Sequence, residues 1–154
     1  MIEAFERSVA LNPSSTLVLK CAGEGLAMAD ESEAAIEKLE RAMRLSPSDP
    51  AAYWTYHGFA LAHFSERRYE EAVEWAGRAV LQNPEFTFAL RALAAGLAHL
   101  GRIEEARQGM ERVTALDAEF TLSGGRRVML TGRPELAERY LEGLRVAGMS
   151  SLSQ

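Results

Sequence analysis

The chain has 154 residues, 47% hydrophobic and 25% charged, with a net charge of −5 at neutral pH. That length suits one domain burying roughly 70% of the surface its unfolded form exposes, and the composition has neither a disordered nor a membrane bias. The acidic balance lacks the basic stripe that neutralises phosphates, so no nucleic-acid partner is expected for this region.

Arginine outnumbers lysine 15 to 2, which is read as a compositional bias rather than a function. The single cysteine, Cys21, can form no internal disulfide and fits a reducing, cytoplasmic setting. No run approaches 18 apolar residues, and "MIEAFERSVALNP" at the start lacks the apolar core of a signal peptide, so no membrane association is expected.

Along the chain, "MIEAFERSVALNP" (1–13), "AAIEKLERAMRLSP" (34–47) and "RRYEEAVEWAGRAVLQNP" (67–84) share one shape. Each places small residues every three or four positions, carries a charged outer face and ends on proline. The stop prolines Pro13, Pro47 and Pro84 lie 34 and 37 residues apart, and Ala35, Ala72 and Ala106 lie 37 and 34 apart. The period is therefore 34, with three residues inserted once in "SPSDPAA". At Ala118, in "LDAEF", the phase persists although proline is lost.

Helix is the only regular pattern present. Residues 1–13 form the second helix of a truncated repeat; 16–47, 53–86 and 87–120 are complete repeats; 121–154 are a C-terminal capping region, all within one domain. Met1 falls on the position held by Ala35 and Ala72, so the expectation is a longer protein with its upstream portion absent, the alternative being a lone capping helix. In the middle repeat, Tyr53–Ser65 and Tyr69–Gln82 are the two helices, joined by "ERR". Asp49 and Asn83, each before a proline, are expected to cap helix starts, and Gly101 to take a left-handed turn. Gly23, Ala60 and Ala94 should face Ala35, Ala72 and Ala106, letting paired helices approach closely. "SGGRR" at 123–127 is read as a turn, because it lacks the strand and lysine of a phosphate loop. Pro134 opens a last helix with Leu136, Tyr140, Leu141 and Leu144 on one side.

A helical hairpin recurring every 34 residues resembles the tetratricopeptide repeat. The middle unit carries that pattern as Tyr56, Phe59, Ala60, His63, Ala72, Ala76, Ala79 and Pro84. The resemblance implies an all-α, right-handed superhelical solenoid of antiparallel helix hairpins that works as a protein-interaction module. A narrower resemblance covers roughly residues 36–149, most specifically "ERYLEGLRVAGM". It is to the C-terminal repeats that follow a class III adenylate/guanylate cyclase domain or a winged-helix regulator domain in bacterial signalling proteins. That head's catalytic residues are not in this chain, so no activity carries over.

Catalytic chemistry is not expected. His57, His63 and His99 are the only histidines, and no Cys or His pair has ligand spacing, so neither a metal nor a cofactor is expected. His63 reads as a packed, hydrogen-bonded residue between paired helices, and Cys21 as a structural thiol.

By the resemblance, the groove-facing positions are Leu17, Lys20, Glu24, Ala27 and Met28, then Trp54, His57, Leu61, Phe64 and Ser65, then Phe88, Arg91, Ala95, Ala98 and His99. The dicarboxylate clamp of chaperone-binding members is absent: the matching positions hold Lys20, Glu24, Gly58, Phe88 and Ala92, and only the lysine fits. The expected groove is therefore aromatic (Trp54, Phe64, Phe88), edged by Lys20, His57 and Arg91, with Glu24, Leu61 and His99 completing it. Packing against the loop or a neighbouring unit is the alternative for each aromatic. The expected partner is a protein or peptide, or an upstream domain of the same polypeptide. The competing reading is a self-association scaffold, a homodimer that pairs upstream domains.

Overall fold

The structure is a computed structural model that describes residues 1–121, 124 and 133–148. Its described elements are eight helices: α1 (Ile2–Leu11), α2 (Thr16–Met28), α3 (Ser32–Leu45), α4 (Ala52–Ser65), α5 (Tyr69–Gln82), α6 (Thr87–His99), α7 (Ile103–Leu116) and α8 (Pro134–Val146). The predicted turn at 123–127 lies outside the described residues, apart from Gly124.

The repeat is visible in the backbone of its turns. α2–α3, α4–α5 and α6–α7 are hairpins whose three-residue turns each place the middle residue in the left-handed region: Asp30 at φ 65°, Arg67 at 59° and Gly101 at 78°. In each, the N–H after that residue closes on a carbonyl five positions back: Glu31 to Leu26, Arg68 to His63 and Arg102 to Leu97, all 2.9 Å. This is the Schellman ending, which satisfies the carbonyls a helix leaves unpaired. Gly101 was legible as such a position. Asp30 and Arg67 were not, because a side chain there is strained and the fold imposes the conformation.

Between hairpins a second turn recurs. Its bonds run from Ser15 to Asn12, Asp49 to Ser46, Phe86 to Asn83 and Phe120 to Asp117, at 3.1–3.3 Å. The last keeps this closure although Ala118 stands where the others have proline. The expected helix caps at Asp49 and Asn83 are corrected: their side-chain oxygens accept from Ala51 N–H (2.8 Å) and Glu85 N–H (3.3 Å), inside the turn. The helices begin later, behind Ala51 and Phe86, which cannot cap. A true side-chain cap occurs at Ser15, which accepts from Val18 N–H.

Small residues set the helix separations. A Cβ added to Gly23 would lie 2.6 Å from Leu39 Cγ and 3.3 Å from the Ala35 carbonyl oxygen, so α2 and α3 touch through glycine. A Cβ added to Gly58, in the next unit, would likewise meet the same Leu39, 2.8 Å from its Cδ2. Ala35, Ala60, Ala72, Ala94 and Ala106 are buried. Leu39 is also fully buried, a burial worth about 1.5–3 kcal/mol. His63 departs from expectation: it is half-buried, and its Nδ1 is buried without a hydrogen-bond partner among the described residues.

The first helices α2, α4 and α6 form one continuous layer, and α8 packs mainly on α6. Among the described residues no helix is long and apolar enough to cross a membrane.

Candidate functional site

The layer of first helices brings most of the predicted groove residues to one face, and divides them. At the centre is Glu24 on α2. Its carboxylate accepts from Trp54 Nε1 at 2.5 Å and lies 2.6 Å from His57 Nδ1, so two residues of α4 converge on one residue of α2. Burial acts to raise the Glu24 pKa, but the His57 charge and the hydrogen bonds from His57 and Trp54 outweigh it and hold the carboxyl below its ordinary value. His57 is itself buried and meets Phe86 and Phe88 edge-on, with ring centroids 5.5 and 6.1 Å away.

Lys20 does not edge an open groove. It is buried, paired with Asp49, and donates to the Ala51 carbonyl at 3.2 Å. It ties α2 to the turn before α4.

Leu61, Phe64 and His99 lie on the same face but beneath α8. The Arg139 guanidinium donates to the Phe64 and Ser65 carbonyls (3.2 and 2.9 Å) and to the Tyr69 hydroxyl (3.1 Å). His99 Nε2 lies 2.6 Å from the Arg139 carbonyl oxygen, and its ring stacks on Tyr69 at 4.7 Å. Phe64 is buried against Tyr69, His99 and Tyr140. Gly143 lets α8 touch α6: an added Cβ would sit 2.9 Å from the Ala95 carbonyl oxygen. Arg133, the residue before α8, lies 3.5 Å from Asp30 in the turn after α2. The last helix thus crosses the C-terminal ends of α2, α4 and α6, where the sequence suggested a terminal cap.

The other half of the face remains open. Phe88 is 45% exposed, and Trp54 is half-buried. Arg91 is held between two rings, 4.5 Å over Phe88 and 3.9 Å over Phe120. It donates to the Thr87 carbonyl and hydroxyl (3.3 and 3.1 Å), and its acidic neighbour Asp117 is 3.9 Å away. Burial lowers its pKa, with Tyr140 and Asp117 opposing that shift.

Two cavities share Glu24 and Phe88. One, of about 330 Å³, is lined by Tyr53, Trp54 and Phe86 as well. The other, of about 250 Å³, lies between α8 and the first-helix layer, with His57, Leu61 and Arg91 on one side and Tyr140, Leu141 and Leu144 on the other. Sequence reasoning missed Tyr53, Phe86, Phe120 and Tyr140 as lining residues. Phe86 and Phe120 are 34 residues apart, so the repeat period itself was the available signal. Among the described residues no group of three or more His, Cys, Asp or Glu side chains could hold a metal. Cys21 is exposed, and partial burial and the Glu24 charge raise its pKa, leaving it less thiolate than an ordinary cysteine.

The chain matches no family model and no curated protein sequence. Solved structures do match. The first tetratricopeptide repeat domain of Spaghetti (RPAP3), solved bound to an HSP90 peptide, superposes with a TM-score of 0.62 at 23% identity, over 86% of this chain and 89% of that one. The fold is a tetratricopeptide-repeat solenoid. MamA has the same architecture, with a TM-score of 0.63 at 18% identity over 95% of this chain and 84% of that one. So does the type IV pilus biogenesis factor PilW, with a TM-score of 0.68 at 16% identity over 90% of this chain and 64% of that one. These likenesses establish the fold. Within this tetratricopeptide-repeat solenoid, the one lysine matching the chaperone-binding clamp is already committed to Asp49.

Proposed function

We propose that this chain is a protein-interaction module that binds an extended peptide along the open half of its groove, from Trp54 and His57 across Glu24 to Phe88 and Arg91. The observation that carries this reading is the aromatic wall of half-buried Tyr53, Trp54 and Phe86 and exposed Phe88, organised around one half-buried carboxylate and flanked by a ring-stacked arginine. Aromatic residues and arginine dominate binding hot spots, because they bury much area at small entropic cost. Lys20, Phe64, Leu61 and His99 serve the framework of the groove in this reading. The sequence resemblance of residues 36–149 supports a finer version: a regulatory region of a larger bacterial signalling protein, in the cytoplasm, acting on a cyclase-like or winged-helix head.

Random-peptide display tests the groove. The wild type should enrich a consensus that Trp54→Ala/Phe88→Ala fails to bind while keeping its helical circular dichroism. A consensus bound equally by both proteins would refute it.

The second reading, a self-association scaffold, is favoured by exposed leucines near the first helix pair, Leu11 (72%) and Leu17 (57%). A mass by light scattering that stays monomeric across concentrations excludes it.

A further inference from the structure

The cavity beneath α8 differs from the rest of the groove. Its walls are largely apolar, supplied by Leu61 and Phe88 on one side and Leu141 and Leu144 on the other, with Arg91 and Glu24 also lining it. At about 250 Å³ it falls just short of the roughly 300–1,000 Å³ of pockets that take a drug-sized ligand, and suits one bulky side chain. It shares Glu24 and Phe88 with the neighbouring cavity, so a chain anchored here has room to continue past Trp54.

Charge sets the second requirement. Glu24 is already engaged by Trp54 and His57, and Lys20 by Asp49. Arg91 forms a long ion pair with Asp117 at 3.9 Å, and its hydrogen bonds among the described residues go to two neutral acceptors on Thr87. Its rings at Phe88 and Phe120 fix the guanidinium plane without neutralising its charge. A carboxylate at hydrogen-bond distance would complete this guanidinium.

We propose that this cavity is an anchor pocket for a single bulky apolar side chain, aromatic or branched, of a peptide whose adjacent carboxylate meets Arg91. The proposal rests on the groove being a peptide site, and names the chemistry at one end of it. The carboxylate comes either from the peptide's C-terminus or from a neighbouring acidic side chain.

Three short synthetic probes separate these sources on the wild-type protein: Gly-Ser-Gly-Phe as the free acid, the same peptide as its C-terminal amide, and acetyl-Gly-Asp-Phe-Gly-amide. Binding is read by NMR titration of the Leu61, Leu141 and Leu144 methyls. A carboxylate source should bind about tenfold or more tightly than the amide, the value of one charge-assisted contact. Tight binding of the free acid alone assigns the terminus; tight binding of the Asp-Phe probe assigns the side chain. Arg91→Gln should level the three affinities, and Leu141→Trp, which fills the cavity, should remove the methyl shifts. Equal affinities on the wild type, no binding at all, or shifts confined to the outer face would each overturn the anchor pocket. Peptides selected on the Trp54–Phe88 wall that show no acid preference would sink this proposal alone, leaving the groove reading intact.

Discussion

Replacing Arg139 by alanine probes whether α8 is built into the groove. Three hydrogen bonds leave its guanidinium, two to carbonyls at the C-terminal end of α4 and one to Tyr69. Such a charge-assisted bond is worth about 1.5–3 kcal/mol net. Two features reduce the sum. The Phe64 carbonyl keeps a second donor, Arg67 N–H at 3.0 Å, and the Arg139 Nε is buried without a partner, a cost that alanine removes. The net loss should be about 2–3 kcal/mol, which for a chain of this size lowers the melting temperature by about 4–12 °C. Thermal unfolding followed by circular dichroism reads the loss, and amide exchange should quicken first in α8. Arg139→Lys, a point charge with no planar fork, should fall between the two. A melting temperature within about 1 °C of wild type would refute the argument.

Three other outcomes follow from the same structure. The lowered Glu24 pKa contributes stability that is present above the ordinary carboxyl value of about 4.3 and lost as pH falls through the lower folded value; urea unfolding should therefore show wild type losing its advantage over Glu24→Gln below about pH 4. Gly143→Ala drives a methyl against the Ala95 backbone, so α8 should shift or loosen at a cost of about 1–3 kcal/mol, seen as a lower urea midpoint and faster exchange in α8. Leu81 is 84% exposed, and Leu81→Lys should leave stability within about 0.5 kcal/mol, measured in the same urea series.

The hairpins were legible because their signals are local. A 34-residue phase, small residues where helices meet and a glycine in a left-handed turn are all written in the residue types themselves, and Gly23 against Ala35 follows directly, whereas its contact with Leu39 did not. Asp30 and Arg67 were hidden, since the strain is imposed by a turn whose geometry only its neighbours reveal. The site was half legible. Glu24, Trp54, His57, Phe88 and Arg91 share a face because first helices stack in register. The position of α8 was not: an apolar stripe of Leu136, Tyr140, Leu141 and Leu144 shows that a face is buried, not against what. Gly143 within that stripe was the one hint, a small residue where a backbone comes close.

The most direct test is NMR mapping of a display-selected peptide on the intact chain. The account predicts shifts concentrated at the Trp54 indole, His57, Phe88 and Arg91, with the α5 and α7 outer faces unmoved. Shifts confined to those outer faces, or to the exposed leucines near α1, would contradict it.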